Sequence, residues 1–200
     1  MAESTKPTPV VPLPAIAAFG TRLATALDTL FCLSKSAGDH LSDAIYNVQA
    51  TSAAMRQLHG MLEADKIAVL ASQHPKTPIF REAGLAEIDT LAAKCHTIYK
   101  LMILITRQAG EPEDKEESDI DLGKMRLVLS RNEAVGEDEP MPIDSHMLRP
   151  LNVLRKIRWD WLELRMKSCN QQLVWLKLGL LFNMQVCELG HRRYVSRPAP

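Results

Sequence analysis

Apolar residues recur every three or four positions along most of the chain, a spacing that brings their side chains onto one face of an α-helix. The first such stretch covers about residues 15 to 36 and ends before the stop signal Gly38-Asp39. The second covers about residues 39 to 64, and a short apolar piece from Ile67 to Leu70 can extend it. The pattern predicts two consecutive helices.

A third helix is predicted over about residues 78 to 107. Thr77 can cap it, and Pro78 can occupy its first position, where no backbone N–H is needed. Its apolar stripe is wide, which is typical of a helix surrounded by partners. We therefore expect this helix to be central.

Acidic and proline-broken sequence follows, from about residue 110 to 147. Residues 111 to 144 carry 12 Asp and Glu against 4 Lys and Arg, which is too charged for a core, although a weak helix can form at about 120 to 130. We predict a flexible acidic insertion. Ser118, within EESDID, fits an acidophilic kinase site and is a candidate regulatory phosphosite, and a solvated charge run is the alternative interpretation.

A long fourth helix is predicted from about residue 150 to 189, with Gly190 as its stop, and it would be about 60 Å long if straight. Eleven of its positions alternate in spacing between three and four, like a coiled-coil seam: Leu154, Ile157, Trp161, Leu164, Ser168, Gln171, Trp175, Leu178, Phe182, Gln185 and Leu189. We favour packing of this seam inside the chain's own bundle, because Val174, Leu180 and Leu181 widen the stripe. The alternative is a homodimer through the seam.

These elements together predict an all-α protein, a helical bundle of about four principal helices with a long C-terminal helix. The apolar content of 46% is ordinary for a globular domain that buries a core. We assign residues 15 to 190 to this domain. The proline-rich residues 1 to 14 and the tail from 191 to 200 are predicted to be disordered.

The cysteines and the N-terminus bear on the compartment. The N-terminus, MAESTKPTPVVPLP, lacks the unbroken apolar stretch of a signal peptide. The most apolar late segment, LVWLKLGLLFNMQV, contains Lys177 and is shorter than the roughly 20 residues of a spanning helix, so we expect no membrane span. The four cysteines are far apart and are expected to pack as small apolar residues in a reducing environment: Cys32, Cys95, Cys169 and Cys187. We predict a cytoplasmic protein.

The chain carries no recognised catalytic motif. It has no P-loop, dinucleotide fingerprint, zincin, nucleophile-elbow or EF-hand sequence. His59 and His96 could meet in a bundle near Cys95, but such histidines are more often satisfied by one hydrogen bond than bound to a metal. We predict no catalytic residue, cofactor or metal. The basic last segment is tethered to an acidic one that would compete with phosphate, so nucleic acid is not an expected partner.

A basic and aromatic segment begins the fourth helix. Its members are a candidate interaction surface for anionic lipid or acidic protein: Arg155, Lys156, Arg158, Trp159, Arg165 and Lys167. The alternative, which we favour, is that the tryptophans anchor the core while the charged side chains cover the outer face.

Four segments in order resemble a known family. They are an Ala- and Leu-rich first helix, a second helix, a central LAAKCHTIYKLMILI helix and, after the polar insertion, LRKIRWDWLELRMKSCNQQLVWLKLGLL. Over about residues 15 to 190 they resemble the fungal N-terminal domain of STAND proteins, a HeLo-like helical domain also named for the azaphilone pigment biosynthesis cluster protein L.

The resemblance implies a helical bundle that acts in self-recognition, cell-death signalling or oligomerisation ahead of an ATPase module. No ATPase module is present before Pro200, so we expect nucleotide-gated signalling to come from a partner. The proline-broken first fourteen residues differ from the apolar N-terminal helix with which some HeLo-type domains enter membranes.

We therefore predict a non-catalytic helical interaction or adaptor domain of fungal signalling, with a protein partner or a homo-oligomer. The alternative function is a membrane-active HeLo-like effector that binds anionic lipid through residues 155 to 167.

Overall fold

The computed structural model of the protein describes residues 12–33, 39–71, 78–109 and 159–195. Within these ranges it contains four helices and no strand, which confirms the predicted all-α bundle. The helices are α1 (Leu13–Leu33), α2 (Asp39–Ala71), α3 (Glu82–Ala109) and α4 (Trp159–Val195).

The four helices form a ring in the order α1, α2, α4, α3. Helix α1 packs on α2 and α3, and α4 packs on the same two helices from the other side, whereas α2 and α3 lie on a diagonal with little contact. Each helix therefore has two large neighbours, and α4 is held between α2 and α3.

Side-chain contacts give the directions of the helices. Gly20 of α1 lies against Ser52 of α2, so these helices, joined by a short connection, run antiparallel. Asn47 near the start of α2 bonds Asn170 near the start of α4, so α2 and α4 run parallel. Ile79, just before α3, lies against Gly190 near the end of α4, which makes α3 and α4 antiparallel.

The core lies along the centre of the ring, and α3 is its largest contributor. The bulkiest fully buried side chains are Tyr99, Phe19, Ile16, Leu23, Leu27, Met55, Leu58, Ile88, Ile98, Met102, Ile103 and Ile105. Six of these twelve belong to α3. The helix is nevertheless not central among the described helices, because it occupies one position of the ring and has two large neighbours like the others.

Helix α1 begins at Leu13, two residues before the predicted start and inside the segment predicted to be disordered. The carbonyl of Pro12 accepts hydrogen bonds from the N–H groups of Ala15 and Ile16 at 2.9 and 3.3 Å. Pro14 is accommodated because the first helical turn needs no N–H from it.

Helix α3 begins later than predicted. Pro78 is not helical, and Thr77 lies outside the described residues. The N–H of Ile79 instead donates to Oδ2 of the buried Asp65 over 2.9 Å, which ties the residues before α3 to the end of α2. The carbonyl of Arg81 then accepts the first helical hydrogen bonds of α3, so the helix starts at Glu82.

Gly190 is not the end of α4, and the prediction of a disordered tail from residue 191 was wrong for residues 191–195, which are helical. A Cβ atom at Gly190 would lie 2.8 Å from Cγ2 of Ile79. The glycine therefore serves close packing of two segments rather than termination of the helix.

Helix α2 is a single helix that includes the Ile67–Leu70 extension. The predicted insertion at 110–147, with its weak helix and Ser118, lies outside the described residues, as do residues 1–11 and 196–200.

Candidate interaction surface on the fourth helix

One face of α4 packs into the bundle core. Its buried residues recur at intervals of three, four or seven, and none of these apolar side chains is more than 2% exposed: Leu162, Met166, Cys169, Leu173, Leu180 and Cys187. This face contacts α2 and α3 and provides the part of the core that α4 contributes.

A second apolar face of α4 points into solvent. Its residues are between 40% and 74% exposed, and we call them the outer stripe: Leu164, Trp175, Leu178, Leu181, Phe182 and Leu189. Trp175 lies two residues after the buried Leu173, which is a rotation of about 200° on an α-helix. The two apolar faces are therefore on opposite sides of α4.

The favoured interpretation of the predicted seam was wrong. Five of its apolar residues, namely Leu164, Trp175, Leu178, Phe182 and Leu189, are exposed instead of packing inside the bundle. The core-facing residues of α4 repeat with the same spacing of three and four, and each lies two residues before a position of the predicted seam. Periodicity alone could not tell which of two stripes with one period faces the core.

The outer stripe leaves several large apolar side chains in contact with water. Its exposed side chains together present on the order of 600 Å² of apolar surface, which the exposed Gln171 and Gln185 interrupt. Its largest members, Trp175 and Phe182, are seven residues apart on the same side of the helix. Trp175, Leu178 and Phe182 are direct neighbours on the helix surface, and such groups of exposed apolar side chains mark binding sites more often than single exposed residues do.

Polar contacts fix the rotation of α4 against α2. Nδ2 of Asn47 donates to Oδ1 of Asn170 over 2.7 Å, and Nζ of Lys177 donates to Oδ1 of Asn47 over 2.7 Å. The Lys177 ammonium also lies 5.3 Å from the ring centroid of Tyr46, within cation–π range. These contacts come from one side of α4 and hold the outer stripe toward solvent.

The contact between α3 and α4 fixes the same orientation from the other side. Gly179 of α4 lies against Leu91, and a Cβ atom there would be 3.2 Å from Cδ2 of Leu91. Turning α4 to bury the outer stripe would break this close contact and expose the buried Leu180.

The predicted basic and aromatic surface is only partly described. Arg155, Lys156 and Arg158 lie outside the described residues, and Trp159 begins α4 without a described side chain. The guanidinium of Arg165 lies 3.8 Å from the ring centroid of Trp161, so this cation stacks on a ring of its own helix.

Lys167 is exposed on the flank of the outer stripe. Of the described cations of this segment, Arg165 therefore stacks on a ring and Lys167 is exposed to solvent. The sequence pattern predicted these residues as a candidate surface, whereas it placed the outer stripe on the surface only in the alternative of a homodimer seam. The seam spacing was the signal that could have found it.

A buried polar layer joins three helices at the level of Tyr99. The Tyr99 hydroxyl lies 2.6 Å from Oγ1 of Thr51 and 3.2 Å from Oγ of Ser52, and Gly20 makes room for the tyrosine ring on α1. Burial raises the pKa of Tyr99, so the phenol stays protonated. The layer is a packing feature of the core.

The buried thiols and His96 are also held uncharged. Burial raises the pKa of the Cys95 and Cys169 thiols to about 12 and that of Cys187 to about 11, so they are poor nucleophiles. Burial, with the nearby Lys100, lowers the pKa of His96 to about 4. Cys32 is exposed, contrary to the expectation that all four cysteines are packed.

His96 packs edge-on against the ring of Phe19, with ring centroids 5.5 Å apart. In the described part of the chain, no three His, Cys, Asp or Glu side chains lie close enough together to hold a metal ion.

Two described segments have the length and apolar character of a membrane span, Leu13–Cys32 and Asp160–Arg192. Half of the first is buried in the bundle, against 22% of the second. A core helix of a soluble protein can pass the same test, and the second segment contains the outer stripe.

Comparison of the chain with protein-family models, with curated proteins and with solved structures gives no match, so the resemblance to the STAND N-terminal domain stays a prediction.

Proposed function

We propose that this chain is a non-catalytic helical interaction domain that docks a protein partner on the outer stripe of α4. The observation that carries the proposal is the placement of Trp175, Leu178 and Phe182 in solvent on a helix whose opposite face is fully packed. Aromatic and leucine side chains arranged in this way on one helix suit the apolar face of another helix.

The rigid placement of α4 supports this function. The contacts of Asn47, Asn170 and Lys177 hold the outer stripe outward before any partner arrives. A preorganised surface loses less conformational freedom on binding than one that must first rearrange.

The chemistry of the interior supports a non-catalytic role. The buried thiols of Cys95 and Cys169 are protonated at neutral pH, and His96 is neutral and packed against Phe19. None of these groups is poised near neutral pH for proton transfer or nucleophilic attack. A place in fungal signalling, cell death or self-recognition, as an adaptor, is the wider role that the sequence resemblance implies.

Site-specific photo-crosslinking in the native host tests the proposal. Replacing Phe182 by p-benzoylphenylalanine puts a crosslinker in the outer stripe, and the same replacement at the exposed Asp28 of α1, diagonally across the bundle, is the matched control. We expect protein adducts at position 182 that are absent at position 28. Equal labelling at the two positions would contradict a docking surface on α4.

An anionic lipid surface is the second candidate partner. It is favoured by the exposed Lys167 beside the outer stripe and by the low burial of the Asp160–Arg192 segment. Flotation with vesicles of phosphatidylserine and phosphatidylcholine tests it, and Trp175→Ala is expected to weaken membrane binding if the stripe inserts. Failure of the wild-type chain to float with these vesicles would exclude this candidate.

A further inference from the structure

We propose that the partner of the outer stripe is the outer stripe of a second copy of this chain, with the two α4 helices antiparallel. The inference rests on the proposed function, because it names the partner of the same surface. Three observations carry it: the partial symmetry of the stripe, the charges beside it and its area.

Four of the six residues of the outer stripe are related in pairs about a point between Trp175 and Leu178. This point lies next to the middle of α4, which spans Trp159–Val195. A two-fold axis there places Trp175 against Leu178 of the second copy. It also places Leu164 against Leu189 of the second copy, so apolar residues meet at the centre and at both ends.

The spacing of these residues suits such a pair. Leu164 and Leu178 stand at d positions of a heptad repeat, and Trp175, Phe182 and Leu189 stand at a positions, which together form the seam of a coiled coil. In the antiparallel register each a residue faces a d residue of the other helix. Phe182 then meets Gln171 of the second copy, an exposed residue whose alkyl stem can cover the ring.

In this register the flanks of the stripe bring one pair of opposite charges together. Lys167 and Glu188 are both exposed on the same flank of the stripe. The two-fold axis brings Lys167 beside Glu188 of the second copy, and the pair occurs twice. In a parallel register these two residues would be about 30 Å apart along the helices, and Trp175 would face Trp175.

The area fits a pair of chains. The apolar part of the stripe, on the order of 600 Å², together with its polar flanks approaches the roughly 800 Å² that each partner buries in an ordinary stable interface. Isologous pairing also uses the same surface on both chains, so it closes at two copies and does not extend to a further one.

Sedimentation equilibrium of the full chain measures the association. We expect a mass of twice 22.4 kDa at micromolar concentration. Trp175→Glu is expected to give the single-chain mass with unchanged helical circular dichroism, because Trp175 is exposed in the bundle. A wild-type chain that sediments as one chain up to several hundred micromolar would overturn the proposal.

A charge exchange tests the antiparallel register. Lys167→Glu and Glu188→Lys each create two like-charge contacts and are expected to raise the dimer Kd about tenfold. The double variant restores opposite charges and is expected to bring Kd back to within about twofold of the wild type. A double variant that is as weak as the sum of the single variants would refute this register.

The two proposals can fail separately. If the chain sediments as a monomer but the crosslinker at position 182 captures a different protein, self-pairing is refuted and the interaction function stands. If the chain is a monomer and the crosslinker captures nothing beyond the control at Asp28, both fail.

Discussion

Nζ of Lys177 on α4 donates a hydrogen bond to Oδ1 of Asn47 on α2 over 2.7 Å, and the amide of Asn47 in turn donates to Asn170. One buried asparagine therefore holds two residues of α4 that are two turns apart. This network sets which side of α4 faces the core and which side carries the outer stripe.

Asn47→Ala should destabilise the fold. The substitution leaves the amide of Asn170 and the ammonium of Lys177 without their hydrogen-bond partner in a partly buried site, which costs about 1 to 3 kcal/mol of unfolding free energy. Gln49→Ala, at an exposed position of the same helix, is the control and should change stability by less than about 0.5 kcal/mol. Urea unfolding followed by circular dichroism measures both, and equal costs for the two variants would show that the network adds no stability.

The two faces of α4 should respond differently to truncation. Leu173 is 0% exposed and Trp175 is 74% exposed, so Leu173→Ala should cost about 2 to 5 kcal/mol and Trp175→Ala less than about 0.5 kcal/mol. Urea unfolding is measured at low chain concentration, because pairing of chains would add stability to the wild type. A larger cost at Trp175 than at Leu173 would mean that the outer stripe is part of the core.

The sequence was sufficient to predict the helices because their interiors are regular and almost free of breakers. It was insufficient to orient α4, because both of its apolar stripes repeat with the same period. The choice between them depends on contacts between residues far apart in sequence, such as Asn47 with Asn170. The sequence pattern therefore identified the residues of the outer stripe, but the favoured interpretation placed them inside the bundle and not in solvent.

Helix ends were misjudged for a related reason. Gly190 has the local character of a stop, but its missing side chain accommodates Ile79 from the segment before α3. Pro78 has the local character of a first helical residue, but the hydrogen bond from Ile79 to Asp65 holds this segment outside the helix. Tertiary contacts override local signals at both positions.

Two helical glycines should respond with opposite signs to alanine. At Gly20 a Cβ atom would lie 2.6 Å from Cε2 of Tyr99 and would also collide with Ser52, so Gly20→Ala should destabilise by about 1 to 3 kcal/mol. At Gly60 nothing lies within 4 Å, so Gly60→Ala should stabilise by about 0.5 to 1 kcal/mol through higher helix propensity. Thermal and urea unfolding report the signs, and a stabilising Gly20→Ala would show that α1 and α3 are less closely packed than described.

His96 should make stability fall as the pH falls. Burial and Lys100 lower its pKa to about 4 in the folded chain, from 6.5 in the unfolded chain, so between these values the unfolded chain binds the proton more readily. The unfolding free energy that depends on neutral His96 is fully present above pH 6.5 and decreases toward pH 4, by on the order of 2 kcal/mol. His96→Gln removes the titrating group, whereas other groups, including the carboxylates, titrate equally in both chains. Urea unfolding from pH 7.5 to 4 measures the unfolding free energy of both chains. We expect the variant to become more stable relative to the wild type as the pH falls. A difference between the two chains that is independent of pH would contradict the lowered pKa of His96.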